Sequence, residues 1–308
     1  MDEAAGNRKA LVIAQELCKS FPDKVALHPV SFDVAKEEIL GLIGANGGGK
    51  TTTLRMIAGL TKPDDGELTV LGHRLPSEAT KIRPNIGYVS QSLSLYTDLT
   101  VAENLRFFAQ IYGTANVSVM VSGILDQFSL GPMANKSIDQ LSGGWARVVQ
   151  LAAGMMHEPQ LLLLDEPTSG LDAAMRAFMW YHIRQFAKDG RSVIISTHDL
   201  DEAPRCDQLL YFSDGKVPLR GTPSSITRKS QALTAHLKGE NIESLAAALS
   251  QKSWCFAVSH QMNGLNVVLA ASGKEELASL ASDEDVEMIM AQHSLADACL
   301  AQLTLDTQ

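Results

Sequence analysis

The sequence predicts an α/β chain whose sheet strands are joined by helical crossovers, followed by a small α+β appendage. Three observations predict it. Ile39-Leu40-Gly41-Leu42-Ile43 is a short apolar run that passes through a glycine-rich loop into residues 54–60, which read as a helix closing on Gly59. Residues 161–164 and 192–196 are further apolar runs, joined by a segment of helical length at about 173–188 that stops at Asp189-Gly190. Strand, long helix, strand is the pattern of parallel strands with crossovers, and apolar strands that do not alternate suit burial on both faces.

The remaining elements follow in order. Residues 10–18 are apolar-rich, 30–34 alternate, and 67–71 follow the turn Lys62-Pro63-Asp64-Asp65-Gly66, so each reads as a short strand. Residues 86–90 form another short strand that ends near Gln91. The block from about 92 to 156 changes character: Val101, Leu105, Phe108, Ile111 and Tyr112 recur at helical spacing, and a second helix follows at about 119–128. A hairpin is expected from 209–212 and 216–219 around Ser213-Asp214-Gly215, then a linker or loop at 221–225. From about 232 the order reads strand, helix, strand, strand, helix, strand, helix, with 241–250 helical and 254–258, 265–269 and 286–290 extended. The expected division is a domain at 1–225 and an accessory α+β domain at 226–308.

Composition narrows the classes. The chain has 308 residues, 45% apolar and 20% charged, which is ordinary for a globular protein with ample core. A net charge of −9 argues against a nucleic-acid-binding surface. The four cysteines are scattered, with no C-x-x-C pair, and read as reduced thiols. The N-terminus MDEAAGNRKA is acidic and polar, so no signal peptide is expected. No apolar run approaches the roughly 18 residues of a spanning helix, so a membrane role is expected to pass through a partner.

The chemistry sits in two stretches. Gly44-Ala45-Asn46-Gly47-Gly48-Gly49-Lys50-Thr51-Thr52 fits G-x-x-x-x-G-K-[ST] between a strand and a helix. Glycines let successive backbone N–H groups turn inward around an anion, and the helix starting at Lys50 adds its positive dipole end. Lys50 is expected to reach the β- and γ-phosphates of a nucleoside triphosphate, and the Thr51 hydroxyl to hold Mg²⁺. Leu161-Leu162-Leu163-Leu164-Asp165-Glu166-Pro167 is the second stretch. Its strand delivers Asp165 at the carboxyl end, where open α/β sheets bind ligands. Asp165 is expected to hold Mg²⁺ through water, and Glu166 to polarise an attacking water as general base.

Leu141-Ser142-Gly143-Gly144-Trp145 precedes that strand. With it, the chain resembles the ATP-binding-cassette (ABC) family, whose signature is LSGG, over about residues 11–220. The resemblance implies a phosphate-loop ATPase of ABC type, with a mixed sheet core, an antiparallel β subdomain and an α-helical subdomain at about 92–156. It implies ATP and Mg²⁺ as cofactors and two subunits paired head to tail, a homodimer or a dimer with a related ATPase. In such a pair Ser142, Gly143 and Gly144 bind the γ-phosphate on the other subunit by the same anion logic. It also implies that Gln91 touches Mg²⁺ and faces a membrane partner, and that Ser169-Gly170-Leu171-Asp172 contacts the opposite subunit. His198, in Ser196-Thr197-His198-Asp199, contacts the γ-phosphate and orients Glu166, and Phe21 stacks on adenine.

The chain departs from the family pattern in places. Ala45 stands for the usual Pro and Gly48 for the usual Ala or Ser, both expected to be mild. Trp145 for the usual Gln is larger and is expected to alter closure or ribose contact, with hydrolysis kept. Pro204 follows the switch region, where the first turn of a helix tolerates it. The tail at 294–304 resembles a bacterial subgroup whose single-cassette ATPases pair with separate permeases of the type-2 export class. That resemblance is weaker, because Ala and Cys stand where larger apolar residues are more usual. The resemblance as a whole implies an ATP-hydrolysing subunit of a bacterial exporter. It would bind integral membrane permease subunits and no nucleic acid, at the cytoplasmic face of the inner membrane. The alternative is a soluble ABC ATPase acting on ribosomes or DNA. Such members usually carry two cassettes or long coiled coils, and this chain has one cassette and no sustained heptads. A nucleotide kinase would have no use for LSGG.

Overall fold

A computed structural model describes residues 10–113, 116–239, 242–261 and 264–307; the N-terminal stretch MDEAAGNRK and Asn241 lie outside them. The chain divides into two compact units, Met1–Val217 and Pro218–Gln308. In order, the first unit contains β1 (Ala10–Phe21), β2 (Lys24–Ala35), β3 (Ile39–Gly44), α1 (Lys50–Ile57), β4 (Asp65–Val70), β5 (His73–Leu75), α2 (Ala79–Ile82), β6 (Ile86–Val89), α3 (Val101–Ile111), α4 (Val117–Gln127), α5 (Gly143–Met155), β7 (Leu161–Asp165), α6 (Ala173–Lys188), β8 (Ser192–Thr197) and β9 (Gln208–Ser213). β10 (Lys216–Gly221) crosses the boundary.

Two sheets build this unit. One is antiparallel, in the order β2-β1-β4-β5. The other has the order β10-β9-β3-β8-β7-β6, with β9, β3, β8, β7 and β6 all parallel. Every residue of β3, β7 and β8 is buried, as their continuous apolar composition requires. Between the sheets lies a core of Leu17, Leu27, Val70, Met56, Leu42 and Phe212, so α1 is held from both sides.

β1 and β2 each run to 12 residues, longer than their alternation predicts. The register of β1 slips between Ala14 and Leu17, and Glu16 sits at φ 48°. A bulge there resets which face the side chains point to.

The helical block is α3, α4 and α5. Thr100 caps α3 in a capping box with Glu103. Buried Asn104 bonds the Tyr96 N–H and the carbonyls of Tyr96, Leu99 and Thr100, which pins the chain entering α3.

The second unit contains α7 (Pro223–Lys229), β11 (Ala232–Lys238), α8 (Ile242–Leu249), β12 (Cys255–Gln261), β13 (Gly264–Ala270), α9 (Lys274–Asp283), β14 (Glu287–Ala291) and α10 (Leu295–Thr307). Its sheet is antiparallel in the order β12-β13-β11-β14. That connectivity is ferredoxin-like, and it follows the element order read from the sequence. One expectation is corrected: residues 221–225 are not a linker or loop, since Gly221 ends β10, Thr222 caps α7 and residues 223–225 are its first turn. The Thr222 hydroxyl accepts the Ser225 N–H at 3.1 Å, and Pro223 occupies the first turn, where its missing N–H costs nothing. Among the described residues no helix is long and apolar enough to cross a membrane, and the four cysteines are free.

Candidate active site

β3 ends at Gly44, and the loop that follows reaches α1 through Gly49. Gly44 sits at φ 140° and Gly49 at φ 111°. A Cβ would lie 2.1 Å from the Phe212 carbonyl oxygen at Gly44 and 2.4 Å from that of Ala26 at Gly49. Both positions admit only glycine, because β2 and β9 press on the loop from two sides. Gly47 is also left-handed at φ 79°, and Lys24 donates to its carbonyl at 2.7 Å.

Lys50 is buried, and its ammonium donates to the carbonyls of Gly44 at 2.7 Å and Ala45 at 2.9 Å. Its Nζ lies 3.9 Å from Glu166 Oε1. Burial lowers the Lys50 pKa below its ordinary value, and the charges of Glu166 and Asp165 work against that shift.

The acidic pair lies at the end of β7. Asp165 Oδ1 accepts the Thr51 hydroxyl at 2.9 Å and the Ser196 hydroxyl at 2.7 Å. Glu166 follows at φ 47°, a left-handed turn rare outside glycine. That turn is held by its own N–H, which donates to both the hydroxyl and the carbonyl of Ser196, at 3.0 and 3.1 Å. The Glu166 carboxylate is 6% exposed. Its Oε2 is 3.2 Å from Gln91 Nε2 and 3.2 Å from His198 Nδ1. Three residues widely separated in the chain thus meet at the Glu166 carboxylate: Lys50, Gln91 and His198.

A cleft of about 440 Å³ opens over this cluster. Asn46, Gly47, Gly49, Lys50, Thr51 and Thr52 line it, together with Gln91, Glu166 and Phe21. The Phe21 ring is half exposed at the rim, with the Lys19 ammonium 5.4 Å from its centre. Gly44, Ala45 and Gly48 are backbone beneath the cleft rather than lining. Ser142, Gly143 and Gly144 do not line it either. Ser142 caps α5, accepting the Trp145 N–H at 3.5 Å, and Ser142 and Gly143 are exposed. The Trp145 ring meets Phe178 of its own chain edge-on, 5.9 Å between centres.

The sequence reading missed four contributors. Lys24 and Ala26 line the cleft from β2, which no motif marks. Ser196 sits inside a quoted motif, yet its grip on both acids comes from the pairing of β7 with β8. Gln150 of α5 donates to the carbonyls of Ser90 at 3.2 Å and Ser92 at 2.8 Å, on either side of Gln91. A polar residue on the buried face of a helix was the available signal for it.

A phosphate loop on a strand–helix junction, beside an acidic pair on a neighbouring parallel strand, defines a nucleotide-binding cassette. Residues 27–169 match the family described as ABC transporter. The chain is 40% identical over 224 residues to the Escherichia coli (strain K12) protein named "Probable multidrug ABC transporter ATP-binding protein YbhF", covering 72% of this chain and 39% of that one. It is 38% identical over 214 residues to the Nod factor export ATP-binding protein I of Rhizobium etli, covering 68% of each. A solved dimeric ATP-binding cassette in a post-hydrolysis state with ADP and Pi superposes with a TM-score of 0.62 at 28% identity, covering 68% of this chain and 98% of the other. The chain belongs to the ABC transporter family. It spans well under half the length of YbhF and about two thirds of the Nod factor protein. Ribosome- or DNA-directed function is not favoured by these likenesses.

Proposed function

We propose that this chain is the ATP-hydrolysing subunit of a bacterial exporter and works as a dimer beneath a separate permease. The observation that carries the proposal is the convergence on Glu166: Gln91 and His198 at 3.2 Å and Lys50 at 3.9 Å from a buried carboxylate. A base so placed can take the proton of a water attacking the γ-phosphate, with His198 orienting both.

The residues fit ATP and Mg²⁺. The loop is a cradle that a Cβ would fill, and its lysine is held by the loop's own carbonyls until phosphate oxygens replace them. Thr51 and Asp165 bring two hard oxygens to within 2.9 Å of each other. A few oxygen ligands from the protein beside phosphate oxygens suit Mg²⁺, which keeps several of its waters. When bound, the ion would neutralise charge on the β- and γ-phosphates; Thr51, Asp165 and Gln91 would hold it. Phe21 would stack on the adenine. Ser142 and Gly143, exposed, and Gly144 beside them, none of which lines the chain's own cleft, would close on the nucleotide of a second copy or a related subunit.

A permease dock is supported by an apolar groove of about 430 Å³ lined by Leu60, Tyr88, Ile111 and Tyr112, in which Ile111 is 61% exposed. Such a patch on a globular chain marks a contact surface. It implies a location at the cytoplasmic face of the membrane, held there by the partner. Export as the direction follows from the names of the relatives. We assign residues 226–308 to an accessory domain and 92–156 to a helical subdomain of the cassette.

The test is Glu166→Gln. The variant should bind ATP, run as a dimer on size exclusion with ATP, and lose at least about a hundred-fold in turnover. Full turnover in that variant overturns the mechanism.

A further inference from the structure

The second unit carries a cavity that the cassette chemistry does not use. It has a volume of about 470 Å³, within the range of small-molecule sites. It lies between the end of α7, the start of β11 and the inward face of α10. Its apolar wall is Leu219, Ala232, Phe256, Ala298 and Ala301. Ala298 and Ala301 are 2% and 3% exposed, so α10 presents alanines at buried positions where branched side chains would fill the space. The sequence already showed this tail to be unusually rich in small residues.

The polar part of the lining is Lys229, Ser230 and Gln231, with Ser272 and Gln302. None of the described residues lining the cavity is acidic, although the whole chain carries a net charge of −9. Lys229 is the one charged residue of this lining; the buried Asp297 carboxylate, bonded to the Thr234 hydroxyl, is not part of it.

The walls are held apart by a hydrogen-bond chain. The Thr234 hydroxyl donates to buried Asp297 at 3.0 Å, so at its other contact it accepts, from His293 Nδ1 at 3.0 Å. That leaves His293 Nε2 as the acceptor for the Ser230 hydroxyl at 3.0 Å. Burial lowers the His293 pKa below its ordinary value, with the Asp297 charge opposing. The neutral ring this favours is the form that the chain of bonds needs. The segment between α7 and β11 is thereby tied to the start of α10. Further along, Thr304 donates to the Phe256 carbonyl at 3.0 Å and ties the helix to β12. Both sides of the cavity are fixed by hydrogen bonds within the chain, which favours a preformed site.

We propose that this cavity is a binding site for a small soluble amphiphile with an apolar body and a single anionic head. The body lies along Phe256 and the alanines of α10; the head meets the Lys229 ammonium. The site belongs to the second unit alone.

The experiment uses the full chain and octanoate as probe, kept below its micellar concentration, by isothermal titration calorimetry. Octanoate should bind saturably at one site. Lys229→Gln should weaken it about ten-fold, the loss of one charge-assisted contact. Ala301→Phe should abolish it by filling the cavity, and octylammonium should bind at least about ten-fold more weakly than octanoate. Lys229 is exposed, so its variant keeps the fold and carries the test if Ala301→Phe does not fold. Absence of saturable binding to the wild-type chain overturns the proposal. So does equal affinity for wild type and Lys229→Gln, or equal affinity for octanoate and octylammonium.

Discussion

The Ser196 hydroxyl donates to Asp165 Oδ1 at 2.7 Å, and the same oxygen accepts the Glu166 N–H at 3.0 Å. One residue of β8 therefore positions both acids at the end of β7. Ser196→Ala removes the bond to Asp165 but leaves Glu166 N–H its second acceptor, the Ser196 carbonyl at 3.1 Å. The fold should lose about 1–2 kcal/mol in urea denaturation. ATPase assays should need more Mg²⁺ for half-maximal rate, because Asp165 is less firmly aimed. An unchanged Mg²⁺ requirement would assign that aim to Thr51 alone.

The phosphate loop separates two glycines that look alike in the sequence. Gly49→Ala puts a Cβ 2.4 Å from the Ala26 carbonyl at φ 111°, and should cost about 1–3 kcal/mol and most of the affinity for a fluorescent ATP analogue. Gly48 does not have a positive φ, and its Cβ would stand 3.2 Å from the Ala45 carbonyl and 3.5 Å from Phe212 Cβ. Gly48→Ala should bind the analogue nearly as wild type does. Equal loss in both variants would contradict this geometry.

Two histidines stacked on aromatic rings, His182 buried and His157 partly buried, make the fold's stability depend on pH in the acid range. His157 stacks on Tyr112 with centres 3.6 Å apart, and His182 stacks on Phe128 at 4.2 Å. Burial lowers both pKa values below the ordinary 6.5; for His157 a bond to the Ile86 carbonyl opposes the shift. Below pH 6.5 the unfolded chain takes up protons that the folded one resists, so stability falls with pH until the folded-state pKa values are reached. Above 6.5 both rings are neutral in both states and this contribution is constant. His157→Leu and His182→Leu should each flatten the slope of unfolding free energy against pH below 6.5, whatever they do to its level. Denaturant titrations at a series of pH values read that slope directly.

Trp145 packs edge-on against Phe178 of its own chain. Trp145→Gln should therefore lower stability by about 1 kcal/mol and, if the ring also shapes closure over a partner's nucleotide, shift ATPase kinetics and nucleotide affinity together. Unchanged kinetics and affinity would leave Trp145 a packing residue only.

The legible parts of the molecule were those whose chemistry is contiguous. The loop at Gly44 to Thr52 and the run into Asp165-Glu166 each state their element and their site within nine residues or fewer. Lys50, Thr51, Asp165, Glu166, Gln91 and His198 do converge. What the sequence hid was pairing across strands and helices. Nothing in Lys24 announces that β2 will lay it on Gly47, and the register of β7 on β8 that places Ser196 is a tertiary fact. The start of α7 was missed for another reason: Thr222-Pro223 reads equally as a turn or as a cap with proline in the first turn, and only packing of Ile226 decides it.

Helix α5 begins at Ser142 and, two turns later, uses Gln150 to hold the carbonyls on both sides of Gln91. The span is about 12 Å of regular helix, buried along most of its length. Such a rod cannot tip at one end alone. In the dimer proposed above, the capped end would meet the neighbour's nucleotide while the gripping end would adjust Gln91 beside the chain's own Glu166. Each subunit would then sense through a single rigid body whether its counterpart is loaded, and the two clefts should fire in concert, with a Hill coefficient above one for ATP in turnover assays.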